Sequence, residues 1–124
     1  MADLTLAQRF GNAVSFNATG KTLTLNLNDL SSIIVGGEDL GIDVSAMTAE
    51  NKDSYASRIL WAILLLNQAN QPENNNDETV GIYVQNQGKR SVVRNQVSQF
   101  GFVLAATAYK NDTVGTQLDP DAIA

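Results

Sequence analysis

Three of the chain's eight cations, Lys89, Arg90 and Arg94, fall within six residues. That grouping suits an acidic partner or a phosphate, or else a solvated turn. Nucleic-acid binding asks for a wider basic footprint with interleaved aromatics, and neither it nor an anionic membrane suits a formal charge of −5 and a pI near 4.4. Glu38, Asp39 and Asp43 share a glycine-containing stretch and offer the hard oxygens that calcium takes, although not at EF-hand spacing. Carboxylates also pair at Glu38/Asp39, Asp77/Glu78 and Asp119/Asp121. A two-carboxylate hydrolase needs its acids held across a rigid cleft, whereas all three pairs lie in expected loops or in the tail. Gly20-Lys21-Thr22 has the end of a P-loop without the upstream glycine.

The chain has no histidine and no cysteine. Their absence removes the commonest general base, the thiolate nucleophile, disulfides and cysteine-based metal sites. No cofactor and no small-molecule substrate is indicated, and the expectation is a protein that is not an enzyme. Asparagine and glutamine supply 21 of the 124 residues, so much of the surface hydrogen-bonds through amides. Amides cost less than charges to desolvate in a subunit contact.

The elements that would carry these groups follow from periodicity. At 124 residues with 44% hydrophobic content, one domain over residues 1–110 is expected, with 111–124 as an extended C-terminal tail or arm. Asp3 is placed to cap a short helix, Leu4–Phe10, closed by Gly11. Val14 and Phe16, a turn at Asn17–Gly20, and Leu23, Leu25 and Leu27 alternating with polar residues predict a hairpin. The pattern weakens from Asp29 to Met47, where Gly36-Gly37 ends a short apolar run. Thr48 then caps a long helix, about Ala49–Ala69, that stops before Pro72.

Beyond the helix, Val80, Ile82 and Val84 alternate in a third strand and Asn86-Gln87-Gly88 is the expected turn. Val97–Lys110 is apolar on both faces, the signature of a strand covered twice, with a bend expected at Gly101. The fold class that results is α+β: a mainly antiparallel sheet of two hairpins packed on one long central helix, in the order α-β-β-α-β-β.

That helix carries more apolar surface than one sheet needs. At about 100° per residue, Tyr55, Ile59, Ile63 and Leu66 form a core stripe, widened by Ala56, Leu60 and Ala62. Trp61 and Leu65 project from the other side near Arg58. Either the N-terminal helix or the tail covers them, or another subunit does. Val114, Leu118 and Ile123 give the tail apolar points for docking on a neighbour.

The whole chain resembles, in composition and layout, small accessory virion proteins of tailed phages, such as capsid cement or tail components. No functional residues carry over from that resemblance. It implies a structural subunit that assembles with itself and with other virion proteins. The same surfaces also fit a cytoplasmic adaptor or regulatory domain that binds a protein or peptide through Trp61, Leu65 and the Lys89–Arg94 turn. The N-terminus lacks a signal-peptide pattern and the apolar run Ile59–Leu66 is too short to span a bilayer. The expected setting is therefore soluble, in a virion or the cytoplasm.

Overall fold

The structure, a computed structural model, describes residues 3–112 and 119–123. In chain order its elements are α1 (Leu6–Phe10), β1 (Ser15–Asn17), β2 (Thr22–Thr24), β3 (Ile34–Val35), β4 (Glu38–Asp39), α2 (Ala56–Asn70), β5 (Ile82–Arg94) and β6 (Val97–Ala108). Short 3-10 turns lie at Leu27–Leu30, Lys52–Tyr55 and Pro120–Ala122. The class is α+β, with one long helix and small antiparallel sheets. The strands form three separate two-stranded sheets, however, so the expected packing of two hairpins as one sheet on the helix is not formed.

The core lies where the sequence pattern is weakest. Tyr55, Ala62, Leu65 and Leu66 of the helical region pack on Leu30, Ile33 and Ile42, with Leu27, Val35, Val44 and Met47 around them. The chain between residues 27 and 47 stays irregular because its polar side chains make the local backbone bonds. Asn26 accepts from the Asn28 amide at 3.0 Å and starts a 3-10 turn, which takes Leu25 and Leu27 out of the expected strand. Asp39 Oδ1 accepts from the Ile33 and Gly41 amides at 3.1 and 3.0 Å. Those bonds bring the backbone of residue 41 against residues 31 and 32. A Cβ on Gly41 would stand 2.1 Å from the Ser31 carbonyl oxygen, so only glycine fits.

Two expected boundaries move. Thr48 and Asn51 exchange side-chain and backbone bonds, 2.7 and 3.3 Å, but the turn they cap runs into 3-10 geometry and the α-helix begins only at Ala56. Thr5, not Asp3, caps α1, in a capping box with Gln8. Asp3 instead pairs with Arg9 at 2.7 Å.

That pair belongs to a junction of three elements. Arg9 Nη1 donates to Asn67 Oδ1 at 2.8 Å and to the Ile82 carbonyl at 3.0 Å. The buried Asn67 returns two N–H bonds, to the Arg9 and Ile63 carbonyls at 3.0 and 2.7 Å. Asp3 Oδ1 also accepts from the Leu4 and Gly81 amides. Burial opposes ionisation of Asp3, but Arg9 and these two amides outweigh it and hold its carboxyl below the ordinary value.

The same junction anchors the longest element. β5 and β6 pair from Ile82↔Ala108 to Arg94↔Val97, and each is paired only with the other among the described residues. The turn is Asn95-Gln96, both at positive φ (48° and 64°), as a two-residue loop between twisted strands requires. The expected turn at Asn86–Gly88 is instead a register shift between Asn86 and Lys89, where Gly88 at φ 87° takes the strained position of a bulge. β6 is therefore not a central strand covered on both faces. It is half of a ribbon that leaves the body beyond Val84 and is exposed over most of its length. From Gln85 to the turn that is roughly 30 Å. The strand passes through Gly101 unbroken; the irregularity lies on the opposite strand, at the bulge.

Two substitutions test this reading. Gly41→Ala should cost at least about 2 kcal/mol, because backbone must move to admit the methyl group. Gly36→Ala meets nothing within 4 Å and pays only for its positive φ, about 1 kcal/mol. Urea midpoints compare them, and equal losses would contradict the close approach at Gly41. For Asp3 the lowered carboxyl stabilises the fold above the ordinary value of 3.8 and ceases to do so as pH falls through its folded value. Asp3→Asn should lower the urea midpoint at neutral pH, and the gap to wild type should close in strong acid.

Candidate assembly surface

The ribbon's two faces differ. Residues directly opposed across an antiparallel pair share a face, and neighbours along a strand alternate. The pairs Lys89↔Phe102, Ser91↔Phe100 and Val93↔Ser98 therefore line one face, and Arg90↔Gly101, Val92↔Gln99 and Arg94↔Val97 the other. The second face is partly covered by its arginines, with Val97 left exposed. The stem of Arg90 crosses Gly101, 3.8 Å from where a Cβ would stand, and Arg94 Nε donates to Gln99 Oε1 at 2.7 Å. The first face is bare. Phe100 and Phe102 are each 63% exposed and Val93 is 70% exposed, with only the Lys89 ammonium, 4.9 Å from the Phe100 ring centre, laid over them.

This apolar line is continuous with the core. Leu104, two residues along β6 from Phe102 on the same side, packs against the core cluster. Phe102 and Phe100 continue the line beyond the point where the body ends.

The root is held on both sides. The Gln71 side chain pairs with the Val84 backbone like a strand, donating at 2.6 Å and accepting at 2.8 Å. The Tyr83 hydroxyl reaches the Pro72 and Glu73 carbonyls at 2.9 and 3.1 Å. Beside this root a cleft of about 500 Å³ is lined by Ile34, Val35, Gln68, Gln71, Gln85 and Asn86 among others. Glu73 is its one carboxylate, so the cleft offers amides and little acid–base chemistry.

On the helix the expected division of faces is partly overturned. Leu65 is 7% exposed and belongs to the core, whereas Leu60, counted in the core stripe, is exposed. The reason is geometric: besides α1 and β5, the irregular 27–47 stretch packs on α2, and its Leu30, Ile33 and Ile42 share the core with Leu65. Trp61 remains 36% exposed. It lines a shallow depression with Leu40, Ile42 and Arg58, floored by Ala62 and Leu65 and edged by Asp43. Arg58 itself lies over the Tyr55 ring at 4.8 Å.

Glu38, Asp39 and Asp43 do not converge on a cation. Among the described residues no group of three acidic side chains is placed to hold a metal ion. Asp39 is turned to the Gly41 and Ile33 amides, which lower its pKa, and Asp43 to Ser45, which lowers its own. Both are held ionised at the surface. Val114 and Leu118 lie outside the described residues, and Ile123 is half-buried after the Pro120–Ala122 turn.

The sequence pattern places Phe100 and Phe102 in a buried strand and does not mark Val93 or Leu40. One signal was available: no carboxylate occurs between Glu78 and Asp112, while three of the eight cations do fall within the ribbon. Compared with known protein families, curated proteins and solved structures, the chain matches none.

The two helix residues are separable by mutation. Leu65→Ala should cost about 3 kcal/mol in a urea titration, as a cavity in the core. Trp61→Glu should leave the far-UV CD spectrum and the urea midpoint of the monomer nearly unchanged. A Trp61→Glu chain that unfolds would place Trp61 in the core instead.

Proposed function

We propose that this protein is a non-enzymatic structural subunit of a homo-oligomeric assembly, in which the β5–β6 ribbon is the assembling arm. One observation carries the reading: a strand with the composition of a buried one stands uncovered. An isolated two-stranded ribbon is marginal in water, and here its bare face holds two phenylalanines and a valine. A partner surface over that face supplies the missing cover. The basic cluster Lys89, Arg90 and Arg94 lies on β5 of this arm, not in a turn.

A small subunit with a rigid body and a projecting arm suits the lattice and ring contacts of a virion, so an accessory capsid or tail component of a tailed phage is the setting we favour. Among the described residues no helix is long and apolar enough to cross a membrane.

Sedimentation velocity at rising concentration tests the proposal. Wild type should shift to a larger species. Phe100→Ser with Phe102→Ser should weaken association by at least about 100-fold, since each buried phenylalanine contributes about 2 kcal/mol. Its far-UV CD should retain the helix. A wild-type chain that stays monomeric well above micromolar concentration would overturn the reading.

A further inference from the structure

The charge of the molecule is split between its parts. The ribbon, Ile82–Ala108, holds three cations and no carboxylate. The other five cations and all 13 carboxylates belong to the remainder, which therefore carries −8. A basic arm and an acidic body on one chain attract each other between copies. Within one copy the arm stands off the body, with both Phe100 and Trp61 open to solvent.

We infer that the ribbon of one copy docks on the Trp61 depression of the next. The inference rests on the assembly reading above and names its second surface. The depression offers what the bare ribbon face lacks: Leu40, Ile42 and the Trp61 ring as apolar walls around Ala62 and Leu65, of a size to receive a phenylalanine. Asp43 and Arg58 both line it, Arg58 laid over the Tyr55 ring, and Glu38 and Asp39 stand on the β3–β4 hairpin close by in the chain, three carboxylates to one cation. Lys89 rides on the docking face among Phe100 and Phe102, where it meets these carboxylates. Arg90 and Arg94, on the reverse face, add long-range attraction.

Because ribbon and depression are different surfaces, the contact is head-to-tail, and successive copies close into a ring or extend into a filament. Single-stranded nucleic acid is the competing occupant for an arm with lysine and phenylalanines. It fits less well, since only one of the three cations shares a face with the rings and the body's −8 repels phosphate.

The absence of cysteine in the native chain makes cross-linking a clean test. One chain carries Leu40→Cys, another Phe102→Cys, and the two are mixed under mild oxidation. The mixed disulfide should form and should exceed either self-linked product, and Trp61 emission should shift to the blue as protein concentration rises. A dominant Phe102→Cys self-link would mean ribbon-on-ribbon packing and would overturn this docking while leaving assembly intact. No mixed product above an exposed Ser15→Cys control would overturn it too. If wild type does not associate at all in sedimentation, the assembly reading itself fails. Trp61→Glu should abolish association while Trp61→Phe retains most of it. Binding of a dT oligonucleotide that slows with Phe100→Ser, in place of self-association, would assign the arm to nucleic acid.

Discussion

A two-stranded ribbon some ten residues longer than the body beneath it must be gripped at its root, and much of the polar chemistry in this fold does that. Arg9 is central, donating to Asn67 and to the Ile82 carbonyl while paired with Asp3. The Gln71 amide then closes the strand edge at Val84, and the Tyr83 hydroxyl ties the other face to the 72–73 carbonyls. Buried polar groups of this kind are costly when unpaired, and every buried side-chain N or O among the described residues has a partner. The amide-rich composition thus serves in part to fix the arm's direction.

In the proposed assembly the grip has a consequence. A loosely hinged hairpin would lose the entropy of ordering each time it docked, whereas one rooted in three elements has already been oriented. Beyond the root, the bulge at Asn86–Lys89 changes which residues of β5 share a face. Val84 and Asn86 lie on the Leu104 side before it, Lys89, Ser91 and Val93 after it, so the apolar line continues along the ribbon. The reverse face carries Arg90 and Arg94 with Val97 still open beside them, so the two phenylalanines mark the more apolar side.

Parts of this were legible in the residues. The α+β class, the central helix ending before Pro72, the first hairpin and the Gly36-Gly37 turn all follow from local patterns. The core did not, because Leu30, Ile33 and Ile42 sit in a stretch whose conformation is set by side-chain-to-backbone bonds and a close approach at Gly41, neither of which leaves a period. The misplaced hairpin turn has a similar cause: a bulge and a two-residue turn use the same residue types, and only register tells Asn86–Gly88 from Asn95-Gln96. For β6 the apolar pattern predicts a doubly covered strand, whereas most of the strand is exposed. That mismatch is the basis of the assembly proposed above.

Amide hydrogen exchange across residues 89–102, compared in dilute and concentrated protein, tests the central claim most directly, because it reads the ribbon itself. The account predicts that exchange there slows as concentration rises, together with residues 40–43 and 58–62 around the Trp61 depression. Ribbon exchange that is fast and unchanged at both concentrations would contradict it.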